Sequence, residues 1–197
     1  MAATDSNKAD TFPTSIPSPV LPFDRSYWVI PGRLLMGYVP VKPEPSRTRE
    51  KVRELLEQGI RTFINLMYDN ETNYDGVPIP GYEQELQAEA QAMGVMAQHH
   101  RLSIEDLTAP TAEHMKQVID QIDESLNAGL PVYVHCWGGR GRTGTVAGCY
   151  LARHGYASGQ RALDFVQHLR RTDAKAHTAS PETQEQRTMV REWLIGA

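Results

Sequence analysis

Cysteine is scarce in this chain. Its 197 residues hold two, Cys136 and Cys149, too few for a disulfide scaffold and in keeping with a reducing, cytoplasmic setting. Charge of one sign is not in excess either: 20 Lys and Arg against 24 Asp and Glu leave a formal charge of −4. That balance argues against a nucleic-acid partner, which would call for a basic surface. No run approaches the roughly 20 apolar residues of a membrane span. The opening MAATDSNKAD has neither the basic start nor the apolar segment of a secretory signal, so none is expected. His99 and His100 are adjacent, no Cys/His pair has ligand spacing, and no metal centre is expected. Internal repeats are absent.

What is present fits one ordinary domain with a hydrophobic core, 40% apolar and 22% charged. Residues 1–24 carry Pro13, Pro17, Pro19 and Pro22 among Ser and Thr, a composition that reads as a flexible tail, with the domain proper over 25–197. YWVI and RLLMGYV, parted by Pro31 and Gly32, predict two short strands around a turn. Ser46 is a candidate cap for a helix through REKVRELLEQ that stops at Gly59. IRTFINLM predicts a buried strand with DNETNYDG as its exit loop, followed by a helix from Tyr82 to Met93 and a strand in VMAQHHRL. Thr111 opens a helix through EHMKQVIDQIDESLNA, and PVYVHC reads as a central strand. Helices then run from Thr143 to His154, from Ser158 to about Arg171, and from Pro181 to Leu194 behind a Ser180 cap. Strands alternating with helices predict an α/β fold: a mostly parallel sheet of about four to five strands flanked by helices.

The chemistry concentrates in VYVHCWGGRGRTGTV, residues 132–146. A cysteine at a strand end, four glycines in the next eight residues, and a helix starting near Thr143 make a specific combination. Gly138, Gly139, Gly141 and Gly144 let successive backbone N–H groups turn inward as an anion nest. The helix adds its positive end at the same place. A thiol in that environment gives up its proton readily. Arg142 can grip two oxygens of a phosphoryl group in a bidentate fork, and Thr143 can donate its hydroxyl to the sulfur. The loop is therefore suited to bind a tetrahedral dianion over a nucleophile. A Walker loop is excluded, because Thr145 stands where its lysine must be.

HCWGGRGRTG resembles the signature loop of the cysteine-based protein tyrosine phosphatase superfamily: His-Cys, five residues, Arg, then Ser or Thr. It is most similar to the small dual-specificity branch. SYWVIPGRLLMG and FINL resemble the N-terminal strands of small members, and SPETQEQ their C-terminal helix start, so the likeness spans roughly Tyr27 to Leu194. The resemblance implies a dual-specificity phosphatase-like fold and phosphomonoester hydrolysis through a phosphocysteine intermediate, with no cofactor. Cys136 and Arg142 take the catalytic positions, and Trp137, Gly138, Gly139, Arg140, Gly141 and Thr143 the phosphate-binding ones. His135 is assigned to holding the loop and tuning the thiolate; on its own it is equally a histidine that ends a strand.

Displacing an alkoxide or phenoxide requires a proton donor from another loop. RLSIEDLTAP offers Asp106, thirty residues before Cys136, with Glu105 as its competitor. Neighbouring side chains on an extended loop point apart, so one of the two should face the pocket. Asp106 is the assignment, although Glu105 stands where the family often has proline. Asp69, Glu71 and Asp75, after another strand, come next. In the large tyrosine phosphatases a Gln-Thr-x-x-Gln segment positions the hydrolytic water; Glu182, Thr183 and Gln186 match it with Glu in first place. Gln186 is thus a supporting candidate, or else a polar residue beside the Met189, Val190 and Trp193 face. Cys149, six residues into its helix, reads as a small core residue.

The expected partner is a phosphorylated protein, phosphotyrosine with possible phosphoserine or phosphothreonine. Arg140, a basic residue beside the pocket, favours instead a polyanion such as an inositol phosphate or phosphoinositide. Trp137 can pack against a peptide or cover the base of the loop. Phosphoprotein ranks ahead. A phosphate-binding module without catalysis would typically lack Cys136 or Arg142. A sulfurtransferase or arsenate-reducing loop would not need the Arg-Thr-Gly opening to a helix.

Overall fold

The run VYVHC forms the middle strand of the sheet, and its neighbours explain why it is wholly buried. A computed structural model describes residues 20–197. Its strands are β1 (Ser26–Ile30), β2 (Leu34–Tyr38), β3 (Thr62–Asn65), β4 (Gln98–Arg101) and β5 (Val132–Cys136). They form one sheet in the order β1-β2-β5-β3-β4. β1 runs antiparallel to β2, and every other pairing is parallel. This is the mostly parallel sheet the alternation predicts. Every residue of β5 is buried, as expected of a central strand covered on both faces. In the register Tyr38 lies opposite Cys136, and Asn65 opposite His135. The carboxyl ends of β2, β3 and β5 therefore finish level, which is where ligands bind in open parallel sheets.

Six helices accompany the sheet: α1 (Pro45–Glu57), α2 (Glu83–Ala92), α3 (Ala112–Asn127), α4 (Arg142–Arg153), α5 (Gln160–Leu169) and α6 (Gln184–Glu192). α1 and α2 pack on each other, while α3, α5 and α6 all pack against α4. That makes α4 the most enclosed helix, buried from Arg142 to Ala152. Gly148 allows the approach of α6, since a Cβ there would collide with Val190. Cys149 is fully buried in the same helix, and burial pushes its thiol well above the usual range, as for an inert core cysteine.

Two helix starts differ from expectation. α1 begins at Pro45 behind Glu44, so Ser46 lies inside the first turn; proline's fixed φ and missing N–H suit the first helical position. α6 begins at Gln184 with Thr183 as its cap, not Ser180. The Thr183 hydroxyl accepts from the Gln186 N–H at 3.2 Å, and the Gln186 side chain returns to the Thr183 N–H at 3.1 Å, a reciprocal capping box. Ser180 is drawn away by a tertiary partner, donating to the Arg140 carbonyl at 2.7 Å. α5 is also shorter than expected, starting behind Gly159 at φ 60°. The tail reading over 1–24 lies mostly outside the described residues. Phe23, which that reading included, is buried with its ring 5.4 Å from Tyr38 and 6.0 Å from Tyr133, so ordered packing begins before residue 25.

Candidate active site

Cys136 is the last residue of β5 and α4 starts six residues later, so the intervening loop crosses the carboxyl end of the sheet. The loop turns sharply at Gly139, at φ 69°, where a Cβ would lie 2.6 Å from the Gly37 carbonyl carbon. Only glycine fits there. Gly144, by contrast, is helical, and its missing side chain admits the Ser180 hydroxyl. Gly138 and Gly141 complete the curl without a left-handed backbone. The loop is tied from outside: Val39 N–H donates to the Trp137 carbonyl at 3.3 Å, and Arg25 Nη2 to the Gly138 carbonyl at 2.6 Å.

Above Cys136 lies a cavity of about 380 Å³. Trp137, Gly138, Arg140 and Gly141 line it, as does Asp106 but not Glu105. The Asp69, Glu71 and Asp75 alternatives line no part of it. Arg25, Tyr74 and Lys175 are lining residues that sequence reasoning did not single out. Tyr74 stands edge-on to Trp137, ring centroids 4.4 Å apart, giving one wall an aromatic face.

Arg142, the first residue of α4, is 1% exposed and held from several sides. Glu71 takes both terminal nitrogens in a fork, with the Nη2 contact at 2.9 Å. Nη2 also faces Asp106 Oδ1 at 3.0 Å, and Nη1 donates to the Ile104 carbonyl at 3.1 Å. Burial opposes the charge, yet the Glu71 hydrogen bond and the negative charges of Cys136, Asp106 and Glu71 more than offset it, so the guanidinium is held above its ordinary value. Glu71, read from sequence as a spare acid, is thus the clamp on Arg142. Its loop position alone could not reveal a partner 71 positions away.

His135 is fully buried, its Nε2 2.6 Å from the Tyr82 hydroxyl. Burial, then the nearby charges of His99, Arg101 and Arg142, push its pKa down to about 3. The ring is therefore neutral and brings no positive charge to the neighbouring sulfur. Desolvation outweighs any favourable field at the ring. Thr143 departs from expectation: its hydroxyl lies 3.4 Å from the Gly37 carbonyl, with no hydrogen bond to Cys136. The adjoining strand β2 offers an oxygen, the stronger acceptor. Arg140, expected as a basic residue beside the pocket, lines the cavity and is ion-paired with Glu182.

Gln186 has no exposed surface. Its Oε1 accepts from the Glu182 and Thr183 N–H groups at 3.0 and 3.1 Å, and its Nε2 donates to the Thr108 carbonyl at 3.0 Å. Both ends of the amide are engaged, so the side chain ties the Asp106 loop to the start of α6. No group of three or more potential metal ligands occurs among the described residues.

Comparison with known proteins agrees with this geometry. The family model of the Swiss Army Knife protein, DSP-PTPase phosphatase domain (PTP-SAK), matches residues 24–192. Phosphatidylglycerophosphate phosphatase PTPMT2 of Arabidopsis thaliana is 30% identical over 138 residues, 70% of this chain and 52% of that protein. PTPMT1 of the same plant is 36% identical over 62 residues, 32% of this chain and 18% of that protein. The chain thus spans about half the length, or less, of these relatives. Among solved structures, Tk-PTP in its active form superposes with a TM-score of 0.61 at 25% identity, covering 86% of this chain and 95% of that one. PTPMT1 in complex with PI(5)P shares the fold, at TM-score 0.61 and 21% identity over 86% of this chain and 94% of that one.

Proposed function

Because this chain belongs to the DSP-PTPase phosphatase domain family, within the small dual-specificity branch of the cysteine-based protein tyrosine phosphatases, we propose that it hydrolyses phosphate monoesters through a phosphocysteine on Cys136. One observation carries the reading: a buried arginine, clamped by Glu71, is ion-paired with Asp106, and Asp106 lines the same cavity as a cysteine at a strand end. The Asp106 carboxylate is paired with Arg142 at 3.0 Å. An incoming phosphate dianion competes for that nitrogen and frees Asp106 to face the leaving oxygen, while Glu71 keeps the guanidinium in place. Once displaced from Arg142, Asp106 takes up a proton from solvent; Cys136 Sγ then attacks phosphorus, the P–O bond to the leaving group breaks, and Asp106 gives that proton to the leaving oxygen. Water then attacks the phosphocysteine, Asp106 takes its proton, and inorganic phosphate leaves with the thiolate regenerated.

Phosphotyrosine in proteins, with possible phosphoserine or phosphothreonine, is the substrate class the resemblance implies; the Tyr74 and Trp137 wall can flank an aryl ring. The second class is a phosphorylated polyol or lipid headgroup. It is supported by the activity named for the Arabidopsis relatives and by two cavity cations, Arg25 and Lys175, with no carboxylate partner among the described residues. We assign a cytoplasmic setting from the two free thiols; no helix among the described residues is long and apolar enough to cross a membrane. Hydrolysis of an aryl phosphate by the purified chain tests the reaction itself. Activity should persist in EDTA, stop with vanadate, and vanish in Cys136→Ser; turnover that needs a divalent metal, or survives in Cys136→Ser, would reject the cysteine mechanism.

A further inference from the structure

Ion pairing among the charged side chains lining the cavity above Cys136 is incomplete among the described residues. Asp106 faces Arg142, and Glu182 is paired with Arg140. Arg25 and Lys175 line the same cavity, and neither is ion-paired to a carboxylate among the described residues. Both are held in place. Arg25 has φ 60°, uncommon for a residue with a Cβ. Its guanidinium lies 4.9 Å from the Tyr38 ring centre and donates to the Gly138 carbonyl, while its Nε is buried without a partner. Lys175 is fixed through its backbone. Its N–H donates to Asp173 Oδ1 at 2.8 Å, and Asp173 Oδ2 in turn receives Arg170 Nη2 at 3.0 Å. That supporting pair is nearly solvent-free, with side-chain exposures of 1% and 5%. The loop that carries Lys175 is thereby anchored by a buried ion pair beside the cavity.

We propose that Arg25 and Lys175 form a subsite for a second phosphate, carried on the same compact headgroup as the scissile monoester. The inference rests on the phosphomonoesterase reading above and deepens its second substrate class. Cys136 and Arg142 occupy themselves with the reacting dianion; the remaining positive charge attracts another anion in the same cavity. Because both cations line the cavity that holds the nucleophile, that anion belongs to a small polyol framework, not to a distant residue of a peptide. The headgroup of a phospholipid and a soluble polyol share this chemistry. The cation that sequence reasoning invoked, Arg140, is neutralised by Glu182 and does not serve.

The test compares kcat/KM of the full chain on matched substrates: inositol monophosphate against inositol bisphosphate, glycerol phosphate against micellar phosphatidylglycerophosphate, and phosphotyrosine peptides with neutral against acidic flanks. A second phosphate should raise kcat/KM about tenfold or more through KM, less so at high salt. Lys175→Ala or Arg25→Gln should remove most of that ratio, and Lys175→Arg should keep it. A preference confined to micelles assigns the subsite to lipid headgroups; one shared with inositol bisphosphate assigns it to polyol phosphates generally. Equal rates on one and two phosphates, a variant that lowers both equally, or a Lys175-dependent preference found only for acidic peptides would overturn the proposal. Calorimetric binding of inositol mono- and bisphosphate to Cys136→Ser separates the two readings. Discrimination that depends on Lys175 there sustains the subsite even if the wild type turns nothing over, whereas its absence removes the subsite even if aryl phosphate is hydrolysed.

Discussion

Two carboxylates reach the guanidinium of Arg142, and their exposure divides their work. The Glu71 side chain is 17% exposed and forks both nitrogens; the Asp106 side chain is 51% exposed and meets one. The enclosed acid positions, and the open one can move to a substrate. His135 shows the cost of enclosing a titratable ring beside such a site. Its pKa is about 3 in the fold, against an ordinary value near 6.5 once unfolded. Between those values the unfolded chain binds a proton that the folded chain refuses, so stability falls as pH drops through this window. The slope from this residue is about 1.4 kcal/mol per pH unit. Urea unfolding of the wild type and His135→Asn at pH 7, 6 and 5 measures it: the stability advantage of the wild type should shrink with each step down. A constant difference would mean that His135 is not held neutral.

At the scale of elements, Gln186 links the acid loop to the start of α6. Gln186→Leu leaves the Thr108 carbonyl and two N–H groups at the cap without their partner, which should cost about 1–3 kcal/mol. Amide exchange around Asp106 should quicken together with it. Unchanged stability combined with slow release of phosphate from the enzyme would instead make Gln186 a water-orienting residue. The elements themselves were largely legible in the sequence. VYVHC announced a buried central strand and Thr111 a cap, because each depends on local chemistry. Ser46 and Ser180 misled for the same reason in reverse: a proline one position earlier and a carbonyl forty positions away decided their places. Cys136, Arg142 and the loop between them declared themselves through spacing. Arg25, Lys175 and Tyr74 did not, since only the folded chain brings segments so distant onto one cavity. Glu71 was visible as a charge but not as a clamp.

For the molecule as a whole, sheet order determines where chemistry is possible. Placing β5 between β2 and β3 buries the strand and ends it beside two others, so Cys136 emerges level with Tyr38 under a loop held by Arg25. α4, packed by three helices, then fixes Arg142 from below while two loops hold it from the side. The sulfur and the cation thus come from one loop and the two acids from two others, and covalent transfer of phosphate to the sulfur is the claim that unites them. Rapid-quench mixing with a phosphorus-labelled aryl phosphate, followed by peptide mapping at mildly alkaline pH, tests it directly. Label should appear on Cys136 within the first turnover and be absent from Cys136→Ser. Turnover at the normal rate with no labelled Cys136 at any time, or label on a different residue, would contradict the account.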